Sequence, residues 1–331
     1  MNAIMLMNSG SGSGVGSGRQ RGVALITALL VVSLATVAAV AMATRLQVDM
    51  RRTGNLLNGE QAYAYAVAAE SWAFVMLRRD QAESEYDSLG EDWATALPPI
   101  AVEGGFVNGR IEDLQGRFNI NNLIVDDGEP TDAESAVDAE QLAYFKRLLD
   151  VLDLEPALAP ALLDWLDADI NTTFPDGAED DIYLLADPPY RAANRPMVSI
   201  SELRLVQGFT PEVIAVLQPH ISALPEEETT ININTATPVV LRALHKELDD
   251  SAVEQLITDR GEDGFADLDT FLEHGALAGL DLEIDVDITS DWFNVLTATR
   301  VGRGQAQLES LVWRGDQQPQ VISRIRTRRR L

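Results

Sequence analysis

A run of 22 uncharged residues, Val23–Thr44, is the first regular pattern along the chain. A helix of that length reaches about 33 Å at roughly 1.5 Å per residue, which is enough to cross the hydrocarbon core of a bilayer. Arg19 and Arg21 precede the run and no charge lies within it, so the N-terminus is expected to stay cytoplasmic. The pattern predicts a membrane-spanning helix over residues 23–44.

The helical pattern continues beyond this run as an amphipathic stretch. Apolar residues recur there at three- and four-residue spacing, and they include Leu57, Ala62, Tyr65, Ala66, Ala69, Trp72, Ala73, Met76 and Leu77. An amphipathic helix buries its apolar face against another element. We therefore predict one long helix whose second half, residues 45–80, packs against a sheet or a further helix.

Two distant parts of the chain have the pattern of β-strands. The first is 105–120, where the Asn108-Gly109 pair is typical of a two-residue hairpin turn. The second holds three candidate strands, Trp292–Thr299, Gln305–Trp313 and Gln320–Ile325. The simplest topology is α+β: residues 81–125 and 286–331 build an antiparallel sheet, and a large all-helical domain, 126–285, is inserted in that sheet.

The predicted insertion contains an approximate internal repeat. Phe118–Leu123 is echoed by Ile231–Ala236, and short helical segments follow each copy. Asparagine, which both copies share, can cap a helix start and tolerates tight turns. The insertion is therefore predicted to hold two small modules of helix-hairpin-helix or SAM-like shape.

Charge is distributed very unevenly. Residues 81–299 carry 10 basic and 46 acidic groups, a net charge of −36. Helix-hairpin-helix modules hold the DNA backbone in other proteins, but that function requires basic residues facing phosphate, so nucleic acid is not expected as a partner. The chain has no cysteine and cannot be held by disulfides. Most of its acidic side chains are expected to be solvated.

The densest acidic cluster lies between Asp164 and Asp181. Asp167, Asp169 and Asn171 have the alternating spacing of oxygen ligands that opens a calcium loop. The EF-hand pattern also needs a glycine at its sixth position and a glutamate at its twelfth, and here those positions hold Thr172 and Ala178. The cluster is therefore either an irregular cation site or a solvated acidic loop.

The sequence contains no catalytic pattern. The histidines, His220, His245 and His274, have no partner at metal-binding or triad spacing. Neither a cysteine nucleophile nor a P-loop is present. The chain is therefore not expected to be an enzyme.

The segment around Gly22 and Val23 allows three kinds of N-terminus. A secretory signal peptide would have an apolar region of about 7–15 residues and a small-x-small cleavage site, which Ala39-Val40-Ala41 could supply. An uncleaved signal anchor fits the apolar run equally well. The third kind resembles the type IV prepilin processing site, where a dedicated peptidase cuts after a glycine. Cleavage there would make residues 1–22 a leader.

Several separate motifs follow one another along the chain. They are Arg19–Ile26, Gly116–Leu123, Asp164–Asp169, Gly177–Asp180, Pro189–Met197 and Ser201–Arg204. In these motifs the chain resembles the minor pseudopilin K family of the bacterial type II secretion system, and the resemblance covers nearly all of the chain beyond Arg19. It implies a pilin-like core, with a long N-terminal helix on an antiparallel sheet and a helical domain inserted in the sheet.

The resemblance also implies a location and partners. Proteins of this family look like the tip of a short periplasmic filament, joined to the minor pseudopilins I and J and indirectly to H and the major pseudopilin G. A prepilin peptidase is expected to cut between Gly22 and Val23 and to methylate the new N-terminus. The anchor then lies in the inner membrane and the C-terminal domain in the periplasm. Calcium is implied at Asp167, Asp169, Glu179, Asp180 and Asp181.

Thr27 is the fifth residue after the predicted cut. Most pilin-like proteins have a glutamate there, which is thought to pair with the N-terminal amine of a neighbouring molecule in the filament. An unpaired carboxylate inside a bilayer is costly, so a molecule with no neighbour above it is better served by a neutral residue. Thr27 can bond its hydroxyl to a carbonyl one turn back, or it is only a tolerated polar residue. The rival to the whole interpretation is an uncleaved, membrane-anchored periplasmic calcium-binding adaptor.

Overall fold

The structure, a computed structural model, describes residues 18–125, 137–226, 228–315 and 318–327. The predicted leader up to residue 17, the segment 126–136 and the Arg-rich end after residue 327 lie outside the described residues. The chain divides into two units, Met1–Asn58 and Gly59–Leu331.

The described residues form the following helices and strands. The α-helices are α1 Gly18–Glu83, α2 Ala139–Val151, α3 Leu158–Leu166, α4 Asp180–Tyr183, α5 Pro211–Leu217, α6 Pro238–Ala243, α7 Asp250–Arg260 and α8 Leu268–Leu272. The 3₁₀ helices are Ile120–Leu123, Ile200–Leu205, Gln218–His220 and Gly275–Leu277. The strands are β1 Leu97–Val102, β2 Gly105–Asp113, β3 Phe118–Asn119, β4 Ile221–Ser222, β5 Ile231–Asn232, β6 Val286–Asp287, β7 Trp292–Val301, β8 Gly304–Trp313 and β9 Gln320–Thr327.

Helix α1 is the long helix that the apolar pattern predicts. Its residues from Gly22 to Thr53 are exposed. The helix runs through Gly54 and Gly59 without a break, because a glycine inside a helix costs only about 1 kcal/mol. It is long and apolar enough to cross a membrane by length and composition.

The main sheet is antiparallel, with strand order β1-β2-β7-β8-β9. Its strands come from two distant parts of the chain, as predicted, and β2 meets β7 at its centre. The pairing of β2 with β7 is continuous from Gly105 opposite Val301 to Asp113 opposite Phe293. The helical part of the chain leaves the sheet after β2 and returns to it at β7.

The predicted hairpin turn at Asn108-Gly109 is wrong. Both residues lie inside β2, and the turn falls at Glu103-Gly104, where Val102 pairs with Gly105. Gly104 has φ +79°, which favours glycine. Nine consecutive pairs with β7 outweigh the local turn preference of Asn-Gly, because a turn there would remove half of this ladder.

The part of α1 in the second unit packs on one face of the sheet. Ala73 and Leu77 of the helix are buried against Phe293, Val295 and Val312. The strand residues alternate, so that every second side chain faces the helix. Small alanines on the helix face let the helix and the sheet approach each other closely.

A buried carboxylate also joins α1 to the sheet. Glu70, which is 1% exposed, accepts hydrogen bonds from the Ser310 hydroxyl of β8 and from the guanidinium of Arg324 in β9. The guanidinium carbon of Arg326 lies 5.0 Å from the ring centre of Tyr63 in α1. These polar contacts set the position of the helix along the strands, because a carboxylate with no partner could not be buried there.

The helical part contains two modules, and a short parallel strand pair closes each of them. Strand β3 begins the first module and pairs with β4 at its end, while β5 and β6 do the same for the second. The strands β3 and β5 lie in the two copies of the sequence repeat. These two-residue pairs are an addition to the all-helical insertion that the sequence predicts.

The repeated asparagines close these modules in the same way. Asn121 bonds both backbone groups of Met197: the Met197 N–H donates to its side-chain oxygen at 2.8 Å and its amide donates to the Met197 carbonyl at 2.9 Å. Asn234 does the same with Phe265, at 2.7 and 3.0 Å. A side-chain amide thus takes the place of a strand partner, which explains why asparagine recurs in both copies.

The largest buried apolar cluster takes its side chains from Phe118 to Ile288 and fills both modules. It includes the stacked rings of Phe118 and Phe145, whose centres are 5.8 Å apart. The smaller clusters lie between α1 and the sheet. The domain limits 81–125, 126–285 and 286–331 remain predictions.

Candidate functional site

Helix α3 brings the first acidic side chains of the loop into the interior. Every residue of this helix is buried, and Asp164 in its last turn is 0% exposed. Asp167 follows as the C-cap residue, and its N–H donates to the Leu163 carbonyl at 2.9 Å. Because the helix is surrounded by apolar side chains, the chain can reach solvent only after Asp167.

The loop after α3 folds back on Asp164. Both carboxylate oxygens of Asp164 accept the Thr173 N–H, at 3.0 and 3.1 Å, and the Gly177 N–H donates to the Thr173 carbonyl at 2.7 Å. A Cβ atom at Gly177 would collide with the Asp164 carboxylate and the Thr173 backbone. Glycine is therefore required at position 177 to bring the next acidic residues, which begin with Glu179, against the first.

Buried oxygen atoms without a hydrogen-bond partner converge here. In and beside this loop they are Oδ1 of Asp167, Oδ2 of Asp169, both Oε atoms of Glu179 and Oδ1 of Asn194. Asp167 and Glu179 are 4% and 2% exposed. A buried oxygen that accepts no bond is costly, and four side chains with such oxygens offer the ligands that a hard divalent cation prefers.

The electrostatics of the loop agree with this geometry. Burial raises the pKa of Glu179 to about 7, and the nearby charge of Asp164 adds to the effect. Burial likewise raises the pKa of Asp167 to about 7, with further contributions from the charges of Asp169 and Asp164. The carboxylates repel one another, so a proton or a cation placed among them relieves the repulsion.

The five predicted ligands differ in their hydrogen-bond partners and in their exposure. Asp167, Asp169 and Glu179 come together with unpartnered oxygens. Asp180 instead accepts the Ala192 N–H at 3.1 Å and forms an ion pair of 3.3 Å with Arg191. Asp181 is exposed, and the described residues provide it with no hydrogen bond or ion pair.

Two residues at this loop were not among the predicted ligands. Asp164 belongs to the densest acidic stretch of the sequence, but it lies within the apolar pattern of α3. Asn194 lies far along the chain, and its side-chain amide donates to the Asp169 carbonyl. Only the tertiary fold brings Asn194 to the loop. Local spacing carries no signal for it.

A second acidic group lies at the end of α1. Asp80, Asp87 and Glu91 each place a carboxylate oxygen within 4.8 Å of the others, a proximity that no three carboxylates of the loop reach among the described residues. This group could hold a metal by its donor set. However, Arg314 already lies in it, at 2.6 Å from Asp87 and 3.2 Å from Asp80. The guanidinium serves as the cation, so a metal ion would have to displace it.

Helix α1 places the predicted processing site on an exposed face. Gly22 and Val23 are both exposed, and nothing lies within 4 Å of a Cβ atom built at Gly22. The Thr27 hydroxyl donates to the Val23 carbonyl at 3.1 Å and to the Ala24 carbonyl at 3.0 Å. The threonine thus satisfies its polar group within its own helix.

A long N-terminal helix on an antiparallel sheet, with helical modules between the strands of that sheet, defines a pilin-like protein with an insertion. Two family models match the chain: the first domain of type II secretion system protein K matches residues 116–226, and a second model for the same protein matches residues 231–290. These limits coincide with the two modules that the parallel strand pairs close.

Known proteins resemble the chain over most of its length. Type II secretion system protein K of Pseudomonas aeruginosa is 36% identical, and the match covers 89% of each chain. The protein K of Aeromonas hydrophila is 35% identical over 92% of this chain and 96% of its own. A solved chain from the GspK–GspI–GspJ complex of enterotoxigenic Escherichia coli is 27% identical with a TM-score of 0.74, covering 84% of this chain and all of that one.

The chain therefore belongs to the protein K family of the type II secretion system. Its role is that of a minor pseudopilin, a structural component of a protein-transport machine. The predicted family and α+β fold are confirmed.

Proposed function

We propose that this minor pseudopilin caps the tip of the periplasmic pseudopilus and nucleates its assembly with the minor pseudopilins I and J. This proposal rests mainly on the structural similarity to a chain that was solved in a complex with GspI and GspJ. The minor pseudopilin H and the major pseudopilin G would be reached indirectly, through I and J.

The hydrogen bonds of the Thr27 hydroxyl support a position of this protein at the end of the filament. Its hydroxyl is bonded to carbonyls of its own helix, so it offers no charge to the N-terminal amine of a pseudopilin above. An acidic residue without such a partner would be costly in the bilayer. The inserted modules also add bulk to the pilin-like core, which disfavours a position inside a packed shaft.

The proposed tip role is tested by assembly. The full chain, extracted in detergent from cells that also express I and J, should recover both partners. Thr27→Val should leave secretion intact, whereas Thr27→Glu should reduce it because its carboxylate has no amine to meet. Failure to recover I and J, or normal secretion by Thr27→Glu, contradicts the tip position.

We also propose that a prepilin peptidase cuts between Gly22 and Val23 and methylates Val23, leaving an inner-membrane anchor and a periplasmic body. The exposed, uncovered glycine supports this step because the peptidase must reach the bond. Mass spectrometry of the N-terminus should find methylated Val23. An intact leader would favour the uncleaved adaptor, and a mature end near Thr44 would indicate a signal peptide.

We further propose that the loop after α3 binds calcium through Asp167, Asp169, Glu179 and Asn194. Their unpartnered buried oxygens support this assignment, as does the oxygen-only donor set. Asp180 is held by Arg191 and the Ala192 N–H and would contribute mainly charge. Calcium bound here would join α3, the loop and the segment before Met197.

Thermal melting separates the proposed ligands. Calcium at about 100 times its dissociation constant would stabilise the folded chain by about 2.7 kcal/mol, which corresponds to a rise of about 5 °C in a domain of this size. Glu179→Gln should abolish the rise, while the matched variant Asp181→Asn should keep it. A wild-type chain that melts at the same temperature in calcium and in chelator has no such site.

A further inference from the structure

The first helical module exposes large apolar side chains in one stretch of its sequence. Among the described residues from 137 to 290, nine such side chains are exposed, and seven of them fall between residues 170 and 205. These seven, which we call the apolar rim, are Ile170, Phe174, Ile182, Leu184, Leu185, Val198 and Leu205. Phe174 is 92% exposed and Leu185 83%, values well beyond the 43% of Val216 and Leu272 elsewhere in the modules.

Contacts within the module hold the segments of the apolar rim together. The Tyr190 N–H donates to the Tyr183 carbonyl at 3.3 Å, and the two rings stack with centres 5.3 Å apart. The Tyr190 hydroxyl donates to the Leu205 carbonyl at 2.9 Å. The Asn194 amide donates to the Asp169 carbonyl, which ties the segment before Val198 to the residue before Ile170. The segments that carry the apolar rim therefore lie together in one cluster of loops.

The charges around the apolar rim are mainly acidic. Residues 169–205 contain seven acidic and three basic residues, a net charge of −4. Two of the basic residues are engaged, Arg191 with Asp180 and Arg195 with Glu202. The acids Asp176, Asp181 and Asp187 are exposed and form no ion pair within the described residues.

We infer that the apolar rim is a docking surface for a protein that presents an apolar patch surrounded by lysine and arginine. Charge complementarity selects this occupant, because a basic border would meet exposed acids while the apolar side chains leave water. A second copy of the chain would set the same acids against each other. An anionic membrane is disfavoured for the same reason. The inference goes beyond the proposed tip role and does not depend on calcium.

Site-specific photo-crosslinking tests the proposal in the full, membrane-anchored chain. The photoreactive residue p-benzoylphenylalanine replaces Leu185 in cells that secrete through this machinery, and irradiation should join it to one protein other than I, J or this chain. That protein, once purified, should bind the wild-type chain and bind Leu185→Ser together with Phe174→Ser about tenfold or more weakly. Its binding should also weaken as salt is raised.

Matched controls make the result interpretable. Leu272→Ser, an exposed leucine of the second module, should leave binding unchanged, and the rim variant should melt at the wild-type temperature because its side chains lie in water. Crosslinks to I, J, a second copy or lipid overturn the proposal. Absence of any crosslink, equal binding by the rim variant or binding that salt does not affect overturns it as well.

Discussion

Arg314, the residue that follows β8, offers the sharpest test of which contacts stabilise the second unit. Its guanidinium forms ion pairs with Asp87 at 2.6 Å and Asp80 at 3.2 Å, and it donates to the Ser290 carbonyl. It also lies 5.0 Å from the ring centre of Phe293. The side chain is 6% exposed, so water cannot replace these contacts. Arg314 thereby joins the end of α1, the following loop and the sheet.

Arg314→Met should destabilise the chain strongly. The methionine fills a similar volume but leaves buried carboxylates without their cation, which costs about 3–5 kcal/mol. At about 2 °C per kcal/mol for a unit of this size, the melting temperature should fall by about 6–10 °C. Burial and the charges of Glu91 and Asp87 already raise the pKa of Asp80 to about 8, and Arg314 opposes that rise.

The pH dependence gives a second readout of the same variant. Removal of Arg314 should raise the pKa of Asp80 further, so that the carboxyl is protonated over a wider range. A protonated carboxyl no longer needs a cation, and the difference between wild type and variant should therefore shrink as the pH is lowered from about 10 to about 8, below which the carboxyl is protonated in both proteins.

Thermal melting of the full chain in detergent measures both effects. Arg303→Met is the matched control, because Arg303 is exposed in the turn between β7 and β8 and its loss should change the melting temperature by less than about 1 °C. Equal melting temperatures for Arg314→Met and wild type would refute the reasoning, as would a difference between them that grows as the pH is lowered towards about 8.

Three further outcomes are expected. In chelator, the melting temperature should rise as the pH falls from about 7.5 to 5, because the pKa of Glu179 is raised to about 7 and folding takes up a proton; excess calcium should reverse the sign, since protons then compete with the ion. Asn121→Ala should lower the free energy of unfolding in urea by about 3 kcal/mol, because it leaves the N–H and the carbonyl of Met197 without their hydrogen-bond partner. Glu70→Gln should lower the melting temperature by several degrees by leaving Arg324 without its counter-ion, and Arg324→Gln in the same chain should recover part of the loss.

Much of the fold could be predicted from local patterns. The apolar run and its amphipathic continuation predict α1, and the alternation in the last third of the chain predicts β7, β8 and β9. The repeat around Asn121 and Asn234 predicts two modules. These features are readable because one helix face or one strand face repeats with a short, regular period.

The prediction fails where distant residues decide the outcome. Asn108-Gly109 has the composition of a turn, yet the long ladder with β7 keeps it in a strand. The candidate cation site is similar: spacing indicates Asp167 and Asp169, but nothing local indicates that Asn194 joins them or that Asp181 faces solvent.

The sequence by itself determined the long apolar run, the division into a split sheet and two modules, and the presence of an acidic loop. These depend on periodicity and composition, which are properties of neighbours in the chain. Only the tertiary structure decided which acids are paired, because burial and partners come from other elements. It pairs the carboxylates of Asp80 and Asp87 with an arginine and leaves carboxylate oxygens of Asp167 and Glu179 without a partner. That difference distinguishes an ion-pair cluster that stabilises the fold from a candidate metal centre.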